Sequence, residues 1–172
     1  CRDTEAVGRY CFVSEDEKKI IESPQRPIVL LYKKEKGLFY ISENAFLGVM
    51  LPYTPLHYLL FGDDIGALIM TSANISDTPI MYDNAEALEK LKGIADGFLL
   101  HDRDIRTRCD DSLCRVYDGR EYFIRRSRGY VPFPVKREEE MEMLLACGAE
   151  QKASFSLSKG NYVFPCQHIG DL

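Results

Sequence analysis

An uncharged apolar run that ends abruptly in a polar loop is the feature that most constrains this chain. The run is Ala67-Leu68-Ile69-Met70, and small polar side chains dominate residues 71–77. Such a run predicts a buried strand, and open α/β sheets place ligand contacts at the carboxyl ends of their strands. Ser72 and Asn74 are therefore candidate ligand-binding residues. The alternative is a loop whose side chains only satisfy their own backbone, and this stretch alone favours neither interpretation.

Composition excludes several classes of protein. A chain of 172 residues with 45% hydrophobic content can bury a real core. The net charge of −5 argues against nucleic acid or an anionic membrane as a partner. No apolar run approaches the roughly 20 residues of a membrane span, and we expect a cytoplasmic protein.

The six cysteines are scattered and form no C-x-x-C pair, so we interpret them as reduced thiols. With only three histidines in the chain, we expect no metal site.

Local signals predict an alternation of short helices and strands. Helices are expected where capping residues precede apolar periodicity: over Asp3–Tyr10, after Ser14 through Ile21, after Thr54 with Leu56, Leu59 and Leu60 as the buried face, and after Asp83 or Asn84. Strands are expected in five apolar stretches besides the first: Ile28–Tyr32, Leu47–Leu51, Ala95–Leu100, and Leu113–Tyr117 with Tyr122–Arg126 around the Asp118-Gly119 hairpin turn.

Two charged segments are candidates for anion binding. Residues 101–112 alternate arginine and aspartate, which is typical either of a salt-bridged loop or of an anion site. The run Arg125-Arg126-Ser127-Arg128-Gly129 concentrates guanidinium groups, and we favour a phosphate cradle there. Arg126 and Arg128 share a face if the strand continues that far.

The last part of the chain has a different pattern. Residues 131–135 are stiff and proline-rich, and residues 136–142 form a charge run, so an interdomain linker is predicted there. Beyond it, apolar stretches at 143–149 and 153–157, a turn at Ser158–Asn161 and a further strand at Tyr162–Pro165 predict a β-hairpin unit. Roughly 30 residues are too few for a core of their own.

In combination, these segments resemble the HypF family, the carbamoyltransferase of [NiFe]-hydrogenase maturation. The resemblance rests on five motifs in the same order over essentially the whole chain: Leu51-Pro52-Tyr53-Thr54-Pro55-Leu56-His57, Met70-Thr71-Ser72-Ala73-Asn74, Asp110-Asp111-Ser112, the segment Arg125 to Pro132, and Gln167-His168-Ile169-Gly170-Asp171-Leu172.

The resemblance implies a division into domains. Residues 1–135 would be the later part of a YrdC-like α/β domain, a twisted mixed sheet with flanking helices. Residues 136–143 would be a linker, and residues 144–172 the first hairpin of the actin-like transferase domain. The family's acylphosphatase, its zinc-finger region and an early lysine-and-arginine motif have no counterpart here, so a fragment with an incomplete, inactive site is expected.

The resemblance also implies chemistry and partners. The family activates carbamate with ATP and Mg as carbamoyl-adenylate, with carbamoyl phosphate or carbamate as the substrate besides ATP, and passes the carbamoyl group to the C-terminal cysteine of HypE. Zinc would be needed only in the full-length protein. The site residues implied here are Ser72, Asn74, Asp111, Ser112, Arg126 and Arg128, with Lys152 in the transferase domain.

Two alternatives remain open from the sequence. One is a stand-alone YrdC-type threonylcarbamoyl-adenylate synthase that serves tRNA modification, and the other is a non-catalytic nucleotide- or RNA-binding module. Open sheet edges would also favour association between copies.

Overall fold

A computed structural model describes residues 1–34, 41–76, 78–149 and 153–167. Its elements in chain order are α1 Thr4–Tyr10, α2 Glu15–Glu22, β1 Ile28–Tyr32, β2 Phe46–Val49, α3 Pro55–Phe61, α4 Asn84–Lys90, β3 Leu113–Tyr117, β4 Arg120–Arg125, β5 Val135–Met141, β6 Leu145–Cys147 and β7 Phe155–Pro165. Within these ranges no helix combines the length and the apolar character needed to cross a membrane.

The first sheet is mixed and carries the core. Its strand order is β2-β1-β3-β4, in which β1 and β3 run parallel and the other neighbours run antiparallel. Alternate residues of β1, Val29 and Leu31, are fully buried and pack with Val7 of α1, Ile21 of α2 and Cys114 of β3. This arrangement confirms the predicted α/β class with a mixed sheet and flanking helices.

The capping signals of the helices act as the sequence predicts. Ser14 and Glu17 form a reciprocal capping box at the start of α2, which satisfies two backbone N–H groups that have no partner within the helix. Asp3, Thr54 and Asp83 accept a hydrogen bond at the starts of α1, α3 and α4.

The hairpin around Asp118 and Gly119 is also confirmed. Both residues have positive φ, 50° and 66°, which is the backbone of the two-residue turn that matches the twist of antiparallel strands. The turn brings Tyr117 opposite Arg120 and fixes the register of β3 and β4.

The apolar runs 67–70 and 95–100 are not strands, contrary to the prediction. Both lack a paired strand in the described chain, and Ile69 and Leu99 are 78% and 72% exposed. The predicted buried face of α3 is wrong as well, because Leu56, Leu59 and Leu60 are exposed and Phe61 is the buried residue. The sequence pattern shows which side chains are apolar. It does not show whether a neighbouring surface is present to bury them or a neighbouring strand to pair with them.

The second sheet is antiparallel, with β7 between β5 and β6. The charged run predicted as a linker is largely strand β5, because backbone pairing with Tyr162 and Val163 does not require apolar side chains.

The predicted turn within the second sheet is present inside β7. The N–H of Cys166 donates to the carbonyl of Phe155 at 2.9 Å, whereas eleven extended residues would separate them by roughly 35 Å. The segment therefore folds back near Gly160, whose φ is 60°.

Candidate functional site

Arg128 is bound by four groups of the protein at once. Its Nε donates to Asp111 Oδ1 at 2.5 Å, and its two terminal nitrogens donate to the carbonyls of Gln25 and Arg26 at 3.1 and 2.7 Å. Its guanidinium carbon lies 3.5 Å from the centre of the Tyr53 ring. Three of its five N–H donors thus hold the site together, and one N–H on each terminal nitrogen is left.

Ser112 joins the start of β3 to the segment that follows β4. Its hydroxyl accepts from the N–H of Ser127 at 2.8 Å and donates to the carbonyl of Arg128 at 2.9 Å, and its side chain is fully buried. Its own carbonyl accepts from the N–H of Ile28 on β1 at 2.8 Å. The structure thus brings together three of the predicted site residues, Asp111, Ser112 and Arg128.

Tyr53 and His57 belong to the same cluster, and sequence reasoning did not select them as site residues. The His57 ring meets the Tyr53 ring edge-on, with centroids 4.5 Å apart, and His57 Nδ1 is buried without a hydrogen-bond partner. Burial lowers the pKa of His57, so the ring is neutral near pH 7. Burial and then the Asp111 carboxylate raise the pKa of Tyr53. Their positions on either side of Thr54, the residue that caps α3, are the signal in the sequence that could have indicated them.

Arg126 lies apart from Arg128 and makes different contacts. One terminal nitrogen donates to the carbonyl of Phe133 at 3.0 Å, and the other is buried without a partner. The guanidinium lies over the rings of Phe123 and Tyr130, 6.0 and 5.8 Å from their centres. Burial lowers the pKa of Arg126, although a guanidinium stays protonated at all working pH values.

Ser72 and Asn74 interact with each other and with their own loop. The Ser72 hydroxyl donates to Asn74 Oδ1, and the Asn74 amide donates to the carbonyls of Ile75 and Thr78 at 2.9 and 3.2 Å. The loop is ordered by these bonds while Ser72 remains exposed. The loop-capping contacts are thus present, and a ligand could still approach the hydroxyl.

Arg108 is connected to this loop through Tyr82 and Met81. Its guanidinium carbon is 5.4 Å from the centre of the Tyr82 ring, and the neighbouring N–H of Met81 donates to the carbonyl of Ala73 at 2.8 Å. Sequence reasoning placed Arg108 only within a charged loop, since the Tyr82 contact spans 26 positions.

Two of the predicted features have no described position. Lys152 and most of the final motif lie outside the described residues. In the described ranges, no three His, Cys, Asp or Glu side chains lie together as a metal site would require. A Mg ion that enters with a nucleotide is usually held by the nucleotide's phosphate oxygens together with one or two carboxylates.

Two family models match the chain. Residues 1–127 match the Sua5_yciO_yrdC family, described as "Telomere recombination". Residues 139–172 match the "HypF Kae1-like domain".

Curated relatives point in the same direction. A probable carbamoyltransferase HypF from Methanocaldococcus jannaschii is 45% identical over 162 residues, which cover 91% of this chain and 21% of the relative. A putative threonylcarbamoyl-AMP synthase from the same organism is 31% identical over 100 residues, which cover 55% of this chain and 47% of that protein.

Solved structures also match closely. Full-length HypF in its phosphate- and nucleotide-bound form has a TM-score of 0.84 and 48% identity, covering all of this chain and 28% of that one. HypF from T. kodakarensis has a TM-score of 0.83 and 41% identity, covering 99% of this chain and 23% of that one. The chain thus spans about a quarter of the length of these relatives. On sequence and fold together, the chain belongs to the HypF family and, over residues 1–127, to the Sua5_yciO_yrdC family.

Proposed function

We propose that this chain is part of a carbamoyltransferase that activates carbamate with ATP and transfers the carbamoyl group to the C-terminal cysteine of HypE. The observation that carries the proposal is the succession of a YrdC-type match and a HypF Kae1-like match within one chain. The division into residues 1–135 and 144–172, with a boundary between them, is part of the same proposal.

The proposed chemistry has two steps. A carbamate oxygen forms a bond to the α-phosphorus of ATP, the bond from that phosphorus to the bridging oxygen breaks, and pyrophosphate leaves with the electron pair. The cysteine sulfur of HypE then attacks the carbamoyl carbon, its proton passes to solvent, and AMP leaves. The first step needs alignment and charge neutralisation rather than covalent help from the protein.

The described residues divide these tasks between them. Ser72 and Asn74 offer a hydroxyl and an amide to phosphate or carbamate oxygens, on a loop ordered by its own hydrogen bonds. Asp111, Ser112 and Arg128 hold three segments in place around the nucleotide, and Arg126 adds a partly buried positive charge. Lys152 is assigned to the transferase domain by resemblance alone.

The runner-up is a threonylcarbamoyl-AMP synthase, which uses the same type of adenylation. It is supported by the relative of that name, which aligns with only 55% of this chain. The residue 139–172 match favours the HypF assignment over it.

Substrate-dependent pyrophosphate exchange in the full-length protein that contains this chain tests the proposal. We expect radioactive pyrophosphate to enter ATP when carbamoyl phosphate or carbamate is supplied, and Arg126→Ala to reduce this exchange at least about tenfold. Exposed Lys18→Ala is the control and should leave the exchange unchanged. Exchange that needs threonine instead would establish the runner-up, and no exchange with either substrate would refute both.

A further inference from the structure

The arginines of this chain differ in how many of their hydrogen-bond donors the protein already uses. Arg128 binds three protein oxygens, and Arg125 and Arg126 each bind one, the carbonyls of Asp111 and Phe133. Within the part of the chain that the structure describes, Arg108 makes a ring contact and donates no hydrogen bond to the protein. Its five N–H donors are therefore available.

The position of Arg108 is fixed although its donors are unused. The Tyr82 ring lies 5.4 Å from its guanidinium carbon, and such a contact restrains the cation without using its N–H groups. Tyr82 is in turn tied to the Ser72 loop, because the adjacent Met81 N–H donates to the carbonyl of Ala73. Through Tyr82 and Met81, the guanidinium of Arg108 is thus connected to the loop that carries the Ser72 hydroxyl and the Asn74 amide.

One of the carboxylates close to Arg108 in the sequence has another partner. Asp111, three positions along the chain, forms its ion pair with Arg128. The planar fork of a guanidinium matches the oxygens of phosphate in a bidentate contact.

We propose that Arg108, restrained by Tyr82 and connected through Met81 to the Ser72–Asn74 loop, is a residue that binds the polyphosphate of the nucleotide in this site. This assignment rests on the proposed function for the identity of the ligand, and it names a phosphate-binding arginine outside the Arg125–Arg128 run. Arg128 then organises the site, and Arg108 contacts the substrate.

The test compares Arg108→Gln with Arg103→Gln in the full-length protein. The two substitutions remove the same charge from the same loop, so the second controls for a general loss of positive potential. Calorimetry measures the Kd of MgATP and of tripolyphosphate, a probe that lacks the nucleoside. We expect Arg108→Gln to raise both constants about tenfold or more and Arg103→Gln to change them less than about twofold.

A second variant separates binding from folding. Arg108→Lys keeps the charge but not the fork, and we expect an intermediate loss with an unchanged Tm. Equal affinity in wild type and Arg108→Gln overturns the assignment, and so does a wild type that binds neither probe. Pyrophosphate exchange in the same preparation decides the proposed function separately, because tripolyphosphate binding that depends on Arg108 without exchange would support the assignment and refute that function.

Discussion

Arg128 joins parts of the molecule that lie far apart in the sequence. It donates to carbonyls 103 and 102 positions earlier, at Gln25 and Arg26, and forms an ion pair with Asp111. The Tyr53 ring lies against the Arg128 guanidinium, and the His57 ring contacts the Tyr53 ring in a T-shaped arrangement. A few aromatic and charged side chains therefore connect the segments that precede β1, β3 and α3.

The cation–π contact at Tyr53 predicts a measurable loss of stability. Tyr53→Leu removes the ring that lies 3.5 Å from Arg128 and should lower the free energy of unfolding by about 1 kcal/mol. Tyr53→Phe keeps the ring and should stay within about 0.5 kcal/mol of wild type. Urea denaturation of all three proteins provides the measurement. Equal losses in both variants would mean that the hydroxyl, and not the ring, is important.

Titration of His57 predicts a pH dependence of stability. Burial lowers its folded-state pKa below the unfolded value, so the unfolded chain binds more protons between the two pKa values. The contribution of the neutral ring is complete above the unfolded pKa, near about 6.5, and is lost as the pH falls through the folded pKa.

His57→Phe keeps an aromatic edge against Tyr53 and removes the titration. Its stability should fall less than that of wild type between about pH 7.5 and pH 5.5, measured by denaturation at each pH. The same fall in both proteins would exclude His57 as the source.

Connections between elements depend on a few glycines with positive φ. Gly119 in the β3–β4 turn and Gly129 after β4 have φ of 66° and 86°. A Cβ at Gly119 would meet nothing within 4 Å, whereas at Gly129 it would lie 2.7 Å from the carbonyl oxygen of Gln25. The positive φ disfavours a side chain at both positions. At Gly129 a side chain would also clash with the carbonyl oxygen of Gln25.

Alanine at these two positions should therefore have unequal effects. Gly119→Ala is expected to lower the free energy of unfolding by about 1–2 kcal/mol through backbone strain alone. Gly129→Ala adds a backbone clash beside Arg128 and should lower it by about 3 kcal/mol or more. Thermal unfolding of the two variants measures the difference, and equal values would contradict the contact at Gln25.

Local signals in the sequence predicted the elements that local interactions determine. The Ser14–Glu17 capping box and the Asp118-Gly119 turn appear where they were expected, because each depends on residues within four positions of one another. The strands at 67–70 and 95–100 do not, because strand formation depends on a distant partner. Local sequence signals could not predict the contacts of Arg128 either, because two of its acceptors are main-chain carbonyls about a hundred positions away.

At the scale of the whole molecule, large apolar side chains are exposed on α3 and on the apolar runs 67–70 and 95–100. Leu59, Ile69 and Leu99 are 79%, 78% and 72% exposed. Large exposed apolar areas promote association in water.

We expect the 172-residue chain on its own to associate as its concentration rises. Leu59→Glu should reduce this association, because it places a charge on the apolar surface, whereas Lys18→Gln makes the same change in net charge on a polar face and should have no effect. Light scattering across a concentration series measures the apparent mass. A wild-type chain that stays monomeric at high concentration would contradict the expectation.

The long-range contacts of Arg128 also have a kinetic consequence. To form them, the chain must close a loop of about one hundred residues, and that entropy is recovered only when the hydrogen bonds are made. We expect these contacts to form after the rate-limiting step, and weakening them should then mainly accelerate unfolding and leave the folding rate nearly unchanged. The contacts of Arg128 would then act chiefly by extending the lifetime of the folded state.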